Sequence, residues 1–142
     1  MREFDVRVAP ATWADEHARI EHIRRHVFIE EQAVPEDLEW DGEDEAALHW
    51  LAWLGDTAIG TVRLRAGDHI GRMAVLREYR GHGVGRRLLD AAVAHARTAG
   101  AREVHLHAQV HALEFYAAAG FIAEGPEFDD AGIPHRTMRR ML

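Results

Sequence analysis

Cysteine, serine, asparagine and lysine are absent from the 142 residues, and all 17 basic side chains are arginine. Each absence removes a class of chemistry. No serine or cysteine can act as a nucleophile, and no lysine can form a Schiff base or serve a P-loop. Thiolate zinc sites and disulfides are excluded with cysteine. No apolar run approaches the roughly 18 residues that span a membrane, and the opening MREFDVRVAP lacks a signal peptide's apolar core. The expectation is a soluble, cytoplasmic protein without a membrane partner. A net charge of −7 argues against nucleic acid as well. With 47% hydrophobic residues, the chain reads as one compact domain over residues 1–142. Its chemistry must come from Arg, His, Tyr, Asp, Glu, Thr, Gln, the backbone, or a borrowed cofactor.

Hydrophobic spacing predicts strands alternating with helices. Phe4, Val6 and Val8 alternate with charged residues, the period of a first strand. A helix is predicted over residues 12–28, with Thr12 as N-cap and Trp13, Ile20, Ile23 and Val27 on one face. A carboxylate-rich loop, residues 30–45, precedes strands at 47–53, 58–65 and 70–76, joined by Gly-Asp turns. Val84, Leu88, Ala92 and Ala96 fall four apart in a helix over 83–99, which Gly100 stops. A fifth strand follows at 103–109, a short helix at 112–119, and late strands at 121–123 and 134–140. This alternation specifies an α/β fold around a central sheet.

The segment Arg80-Gly81-His82-Gly83-Val84-Gly85-Arg86 lies between a strand and a helix. Glycines let a backbone approach a ligand closely, and a helix N-terminus offers unpaired N–H groups and partial positive charge. Arg72, Arg77, Arg80, Arg86 and Arg87 against Glu78 alone make residues 72–87 locally +4 (5 − 1) in an acidic chain. The same residues would serve a tight turn and a solvated helix start; context and local charge favour a phosphate or pyrophosphate ligand. The spacing is not that of the Rossmann fingerprint.

Met73-Ala74-Val75 followed by Gly81-x-Gly83-x-Gly85 resembles the acetyl-CoA motif of the GNAT acyltransferases, and Phe115-Tyr116-x-x-x-Gly120-Phe121 resembles that family's second signature. Arg25-x-Val27-Phe28-x-x-Glu31-Gln32, Asp41 with His49, Ala108-Gln109 and Gly132-Ile133-Pro134-His135 are similar to its ElaA/YjcF branch. The resemblance implies the GNAT fold: a mixed central β-sheet flanked by helices on both faces and splayed at strands 4 and 5. It implies direct transfer of an acetyl group, within a ternary complex, from acetyl-CoA to a primary amine of a small molecule or peptide. It also implies cofactor contacts from Met73, Ala74 and Val75 along strand 4. The loop residues Arg80, Gly81, His82, Gly83, Val84, Gly85 and Arg86 would hold the pyrophosphate, with Gln109 and Phe115 beside them.

Acyl transfer to an amine needs a proton for the departing thiolate and a base for the amine. Tyr116, whose phenol stays protonated at neutral pH, is the candidate acid; a buried ring with a hydrogen-bonded hydroxyl is the competing reading. Many relatives carry a base Glu on strand 4, where this chain has Gly71-Arg72, so that role does not transfer. Glu31 and His135 are the remaining candidates, either of them equally a structural residue (Glu31 through a salt bridge to Arg24 or Arg25). Gln32, Asp41 and His49 are candidate acceptor contacts. Seven carboxylates between Glu36 and Glu45 read first as a solvated loop, and second as an attractor for a cationic amine. Two other functions compete: a non-catalytic acyl-CoA sensor, and a zinc hydrolase built on His105, His107, His111 and His135. No metal is expected under the acetyltransferase reading, and the chain would work as a monomer or homodimer.

Overall fold

The computed structural model describes residues 5–142; Phe4, expected at the start of the first strand, lies outside them. The elements are β1 (Val6–Ala11), α1 (Trp13–Arg24), α2 (Glu36–Glu39), β2 (Leu48–Leu54), β3 (Thr57–Arg65), β4 (His69–Val75), α3 (Val84–Thr98), β5 (Glu103–Gln109), α4 (Leu113–Ala118), β6 (Ile122–Asp130) and β7 (Ile133–Met141). They form a seven-stranded sheet in the order β1-β2-β3-β4-β5-β7-β6. Neighbours are antiparallel except β4 and β5, which run parallel.

Helices cover both faces. The stripe on α3 buries Val84, Leu88, Leu89, Ala92, Val93 and Ala96 against Trp50, Val62, Leu64, Ile70, Val104 and Leu106. Truncating a residue such as Leu88 in this layer costs about 2–5 kcal/mol. On the other face, Ile20, Ile23, Val27 and Phe28 pack on Leu51 and Ala74. Trp50 and Leu51, successive residues of β2, therefore serve opposite cores, as a strand covered on both sides requires.

Thr12 caps α1 as expected, its hydroxyl accepting from the Asp15 N–H at 3.3 Å. The predicted single helix over 12–28 is instead α1 followed by π-helical turns, Arg25–Glu31. There the Gln32 N–H reaches back five residues to the Val27 carbonyl. Such widened turns recur at functional sites because they re-aim side chains that regular spacing would bury.

The parallel junction positions the site. Among the described residues, β4 and β5 register only at His69↔His105. Beyond that pair the strands diverge, and the edge of β4 from Met73 to Val75 faces a gap that β5 does not fill. On its other side β4 pairs with β3 through an irregularity between Thr61 and Arg63. Nearby, Arg72 takes a left-handed φ of 49°. The expected mixed sheet splayed at strands 4 and 5 is the fold observed.

Candidate active site

A cleft of about 870 Å³ opens along this gap and continues over the α1 face of the sheet. One end of it, proposed below to hold the acyl donor, is mostly backbone. Gly81 and Gly83 have φ values of 83° and 80°, conformations that favour glycine strongly, and Gly83 ends the turn as the N-cap of α3. The Arg87 N–H is the one that returns to the Gly83 carbonyl, at 3.2 Å, so the amides of Val84, Gly85 and Arg86 precede the helical ladder. A side chain at Gly85 would come within 3.5 Å of the Phe115 ring, which closes the turn from α4. Exposed donors, no obstructing side chain and the positive end of a 15-residue helix suit a pyrophosphate.

Met73, Ala74, Val75, Arg80, Gly81, Gly83, Val84, Gly85, Arg86, Gln109 and Phe115 all line the cleft, whereas His82 does not. The two arginines are engaged within the protein. Arg80 gives Nη1 and Nη2 to the Glu31 carboxylate at 2.6 and 2.8 Å, and Nε to the Val75 carbonyl at 2.8 Å. Arg86 pairs with Asp90 one turn along α3.

Tyr116 lines the same cleft, its ring edge-on to Phe115 and Phe121 at 5.0 and 6.1 Å between centroids. Burial pushes its phenol up to about 12. Across the gap, Gln109 at the end of β5 donates to the Gln32 side-chain carbonyl at 2.8 Å. The amide expected at the cofactor and the amide expected at the acceptor thus hold each other, tying the π-helical turn to β5.

The other end, proposed below to hold the acceptor, is made of charge. Arg24, fully buried, donates from Nε to Glu39 at 2.7 Å and from Nη1 to Asp44 at 2.6 Å. Arg63, also buried, grips Asp41 through two bonds of 3.0 and 2.9 Å and shares Asp44 at 3.0 Å. Arg72 turns its Nη2 to the carbonyls of Leu38 and Glu39, both at 3.2 Å, and to Asp41 at 3.3 Å. Burial raises Glu39 above the ordinary carboxylate range despite Arg24 and Arg72. For Asp41 burial acts in the same direction, but the Arg63 bonds override it and hold the group well below that range.

These contacts correct the solvated-loop reading of the acidic run. Glu39 and Asp44 are buried, three arginines neutralise three of its carboxylates, and Glu36 pairs with Arg25 at 2.6 Å. Residues 36–39 form a helical turn, not loop.

The remaining candidates separate. His135 lines the cleft, stacks on Phe128 and donates Nδ1–H to the Ile133 carbonyl at 2.7 Å, which in the neutral ring leaves Nε2 as the basic nitrogen. Glu31 lines a separate hollow of about 470 Å³, and its bidentate pairing with Arg80, not with Arg24 or Arg25, lowers its pKa. Gln32 and Asp41 line the cleft, but His49 is buried behind it, its Nε2 donating to the Asp44 carbonyl at 2.9 Å. The histidines considered for zinc are partly gathered: His69 meets His105 and His107 at ring distances of 4.8 and 5.1 Å. Among the described residues, no three His, Asp or Glu side chains are placed to hold a metal ion.

Arg63, Arg65 and His69 are residues at the cleft that sequence reasoning did not single out, and Arg24 entered it only as a possible partner of Glu31. Arg24 had a visible signal, since it lies four residues after Ile20 and four before Phe28 on the helix's apolar stripe. A charged residue in that row must bring its own partners.

The open β4–β5 junction beside a glycine turn and a helix N-terminus defines a class of protein, and sequence comparison agrees. Residues 11–142 match the family described as Acetyltransferase (GNAT) domain, and the chain belongs to that family. It is 35% identical over 123 residues to the uncharacterised N-acetyltransferase YjcF of Bacillus subtilis strain 168, covering 84% of this chain and 88% of YjcF. Among solved structures, an acyl-CoA N-acyltransferase from Pseudomonas aeruginosa superposes with a TM-score of 0.84 at 29% identity, over 96% of this chain and 99% of that one. Escherichia coli ElaA gives 0.85 at 26% identity, over 95% and 99%. Among the described residues, no helix is long and apolar enough to cross a membrane.

Proposed function

We propose that this chain transfers an acetyl group from acetyl-CoA directly to a primary amine of a small molecule or peptide. The observation that carries the reading is the Met73–Val75 edge, which β5 does not pair among the described residues and which meets the first amides of α3, those of Val84, Gly85 and Arg86, in one continuous cleft. A coenzyme A complex is known for a protein of this fold, the PaiA N-acetyltransferase of Thermoplasma acidophilum, at 17% identity and a TM-score of 0.74.

Acetyl-CoA supplies an acyl carbon activated by a thiolate leaving group. In the overall exchange, the nitrogen–carbon bond forms as the carbon–sulfur bond breaks; one proton leaves the amine and one reaches sulfur. The α3 N-terminus binds the pyrophosphate through backbone donors, and the β4 edge orients the acyl arm. Tyr116 holds a proton throughout the physiological range, since its phenol is pushed up to about 12. That makes it a poor base, and a weak acid that still carries a proton when the thiolate departs. His135 offers Nε2 to the amine's proton, directly or through water. Glu31, paired with Arg80 outside the cleft, acts as a structural tie. The decisive assay is release of coenzyme A thiol from acetyl-CoA against a panel of primary amines. Binding without amine-dependent release would identify a sensor, and dependence on zinc a hydrolase.

A further inference from the structure

Among the described residues, five arginines line the cleft, and four have a carboxylate partner: Arg63 with Asp41 and Asp44, Arg72 with Glu39 and Asp41, Arg80 with Glu31, Arg86 with Asp90. Arg65 has none among the described residues, and its buried Nε makes no hydrogen bond. The network beside it cannot supply one. Arg24, Arg63 and Arg72 already balance Glu39, Asp41 and Asp44 one for one. Arg65 therefore stands as an uncompensated cation at the acceptor end, on the last residue of β3. Its cross-strand neighbour is His69. Burial, then the charge of Arg65, pushes that ring down to about 3, so His69 is a neutral neighbour that does not compete with Arg65 for an anion.

The cleft's carboxylates mirror this pattern. Glu39 and Asp41 have arginine partners, while Asp130, at the end of β6, forms no ion pair among the described residues and acts on His107 from the opposite rim. The floor thus runs from Arg65 through His69 and His107 to Asp130, with one unmatched charge of each sign at its ends. A ligand carrying only a positive group would leave Arg65 without a partner.

We infer that the acceptor is an amino-carboxylate, its carboxylate seated on Arg65 and its amine directed towards the β4 edge. This rests on the acetyltransferase reading and narrows it, replacing the simple cationic amine that the acidic run first suggested. An arginine fork binds a carboxylate through two parallel charge-assisted bonds, a geometry that an amide or ammonium group cannot reproduce.

The test uses matched acceptors differing only in the remote group: 4-aminobutanoate and 6-aminohexanoate, their primary amides, and 1,6-diaminohexane. Coenzyme A thiol release is followed with acetyl-CoA saturating. The expected result is a kcat/KM for at least one carboxylate at least about tenfold above that of its amide, carried mainly in KM. In Arg65→Gln that preference should fall towards unity, and Arg65→Lys should restore part of it. Because Arg65 sits half-buried at a strand end without a partner, both variants are expected to fold, which thermal melting verifies. Equal efficiency for carboxylates and amides, or a preference that survives in Arg65→Gln, overturns the inference while leaving the acetyltransferase reading intact. Absence of thiol release with every amine overturns that reading instead.

Discussion

The donor end of the cleft is built from backbone, the glycine turn, the first amides of α3 and the open edge of β4, whereas the acceptor end is built from long side chains locked into ion pairs. Backbone donors are cheap to expose, since their geometry is set by the turn and the helix. They recognise a phosphate whatever the neighbouring side chains are. The acceptor end holds its form only because each buried charge has a partner: Arg24 between Glu39 and Asp44, Arg63 between Asp41 and Asp44. Such a network adds little net stability compared with apolar residues, but losing one member strands the others. The donor end is therefore tolerant of sequence and the acceptor end intolerant, within one cleft.

Removing Arg24 should give the largest effect. Arg24→Met leaves Glu39 and Asp44 buried without it, at a cost of about 3–5 kcal/mol. Thermal melting should show a drop of roughly 10 °C. A loss below about 1 kcal/mol would place those carboxylates in contact with water and undo the contrast. At the donor end, Gly83→Glu puts a carboxylate where the pyrophosphate is proposed to sit. Coenzyme A affinity by calorimetry should fall about 100-fold, a change that costs stability only about 1–2 kcal/mol for the left-handed backbone. Unchanged affinity in a folded variant would remove the glycine turn from the donor site.

Tyr116→Phe lies where the two ends meet. Single-turnover rates should fall about 100-fold, while coenzyme A affinity moves less than about threefold, because a proton donor acts in the transition state. An unaffected rate would reduce Tyr116 to a packing residue. Asp41→Asn should cost about 1 kcal/mol at pH 7, as Arg63 keeps its other partner Asp44. Since Asp41 titrates below its unfolded value, its contribution is complete above about pH 4 and disappears as pH falls through the folded value. The melting gap between wild type and Asp41→Asn should therefore close on acidification. Smallest of all, Glu31→Gln frees Arg80, and coenzyme A should bind no more than about threefold more tightly. A loss of activity beyond tenfold would return Glu31 to the list of bases.

Much of this was legible in the chain. The apolar spacing of α3 and the residues 103–109 of β5 coincide with the structure. The paired blocks around Gly81–Gly85 and Phe115–Tyr116 carry the resemblance to the family that the chain belongs to, and both line the cleft. The last hairpin was read too short. Gly125-Pro126 looks like the end of a strand after residue 123, but β6 continues to Asp130 through an irregularity between Glu124 and Phe128. A bulge absorbs the residues that could not pair, and local composition does not signal that.

What the sequence determined alone is what local chemistry determines: no thiol, serine or lysine chemistry, helices and strands from their periods, and a glycine turn before a helix that must expose its first amides. The charged half of the site depended on the fold. Glu36 to Glu45 is indistinguishable from a solvated acidic loop until Arg24 from α1, Arg63 from β3 and Arg72 from β4 arrive within hydrogen-bond distance. Whether an ionisable side chain is solvated, neutralised or left waiting for a ligand depends on partners distant in sequence. For Arg65 the decisive fact is that none of those partners reaches it, which the packed sheet alone decides.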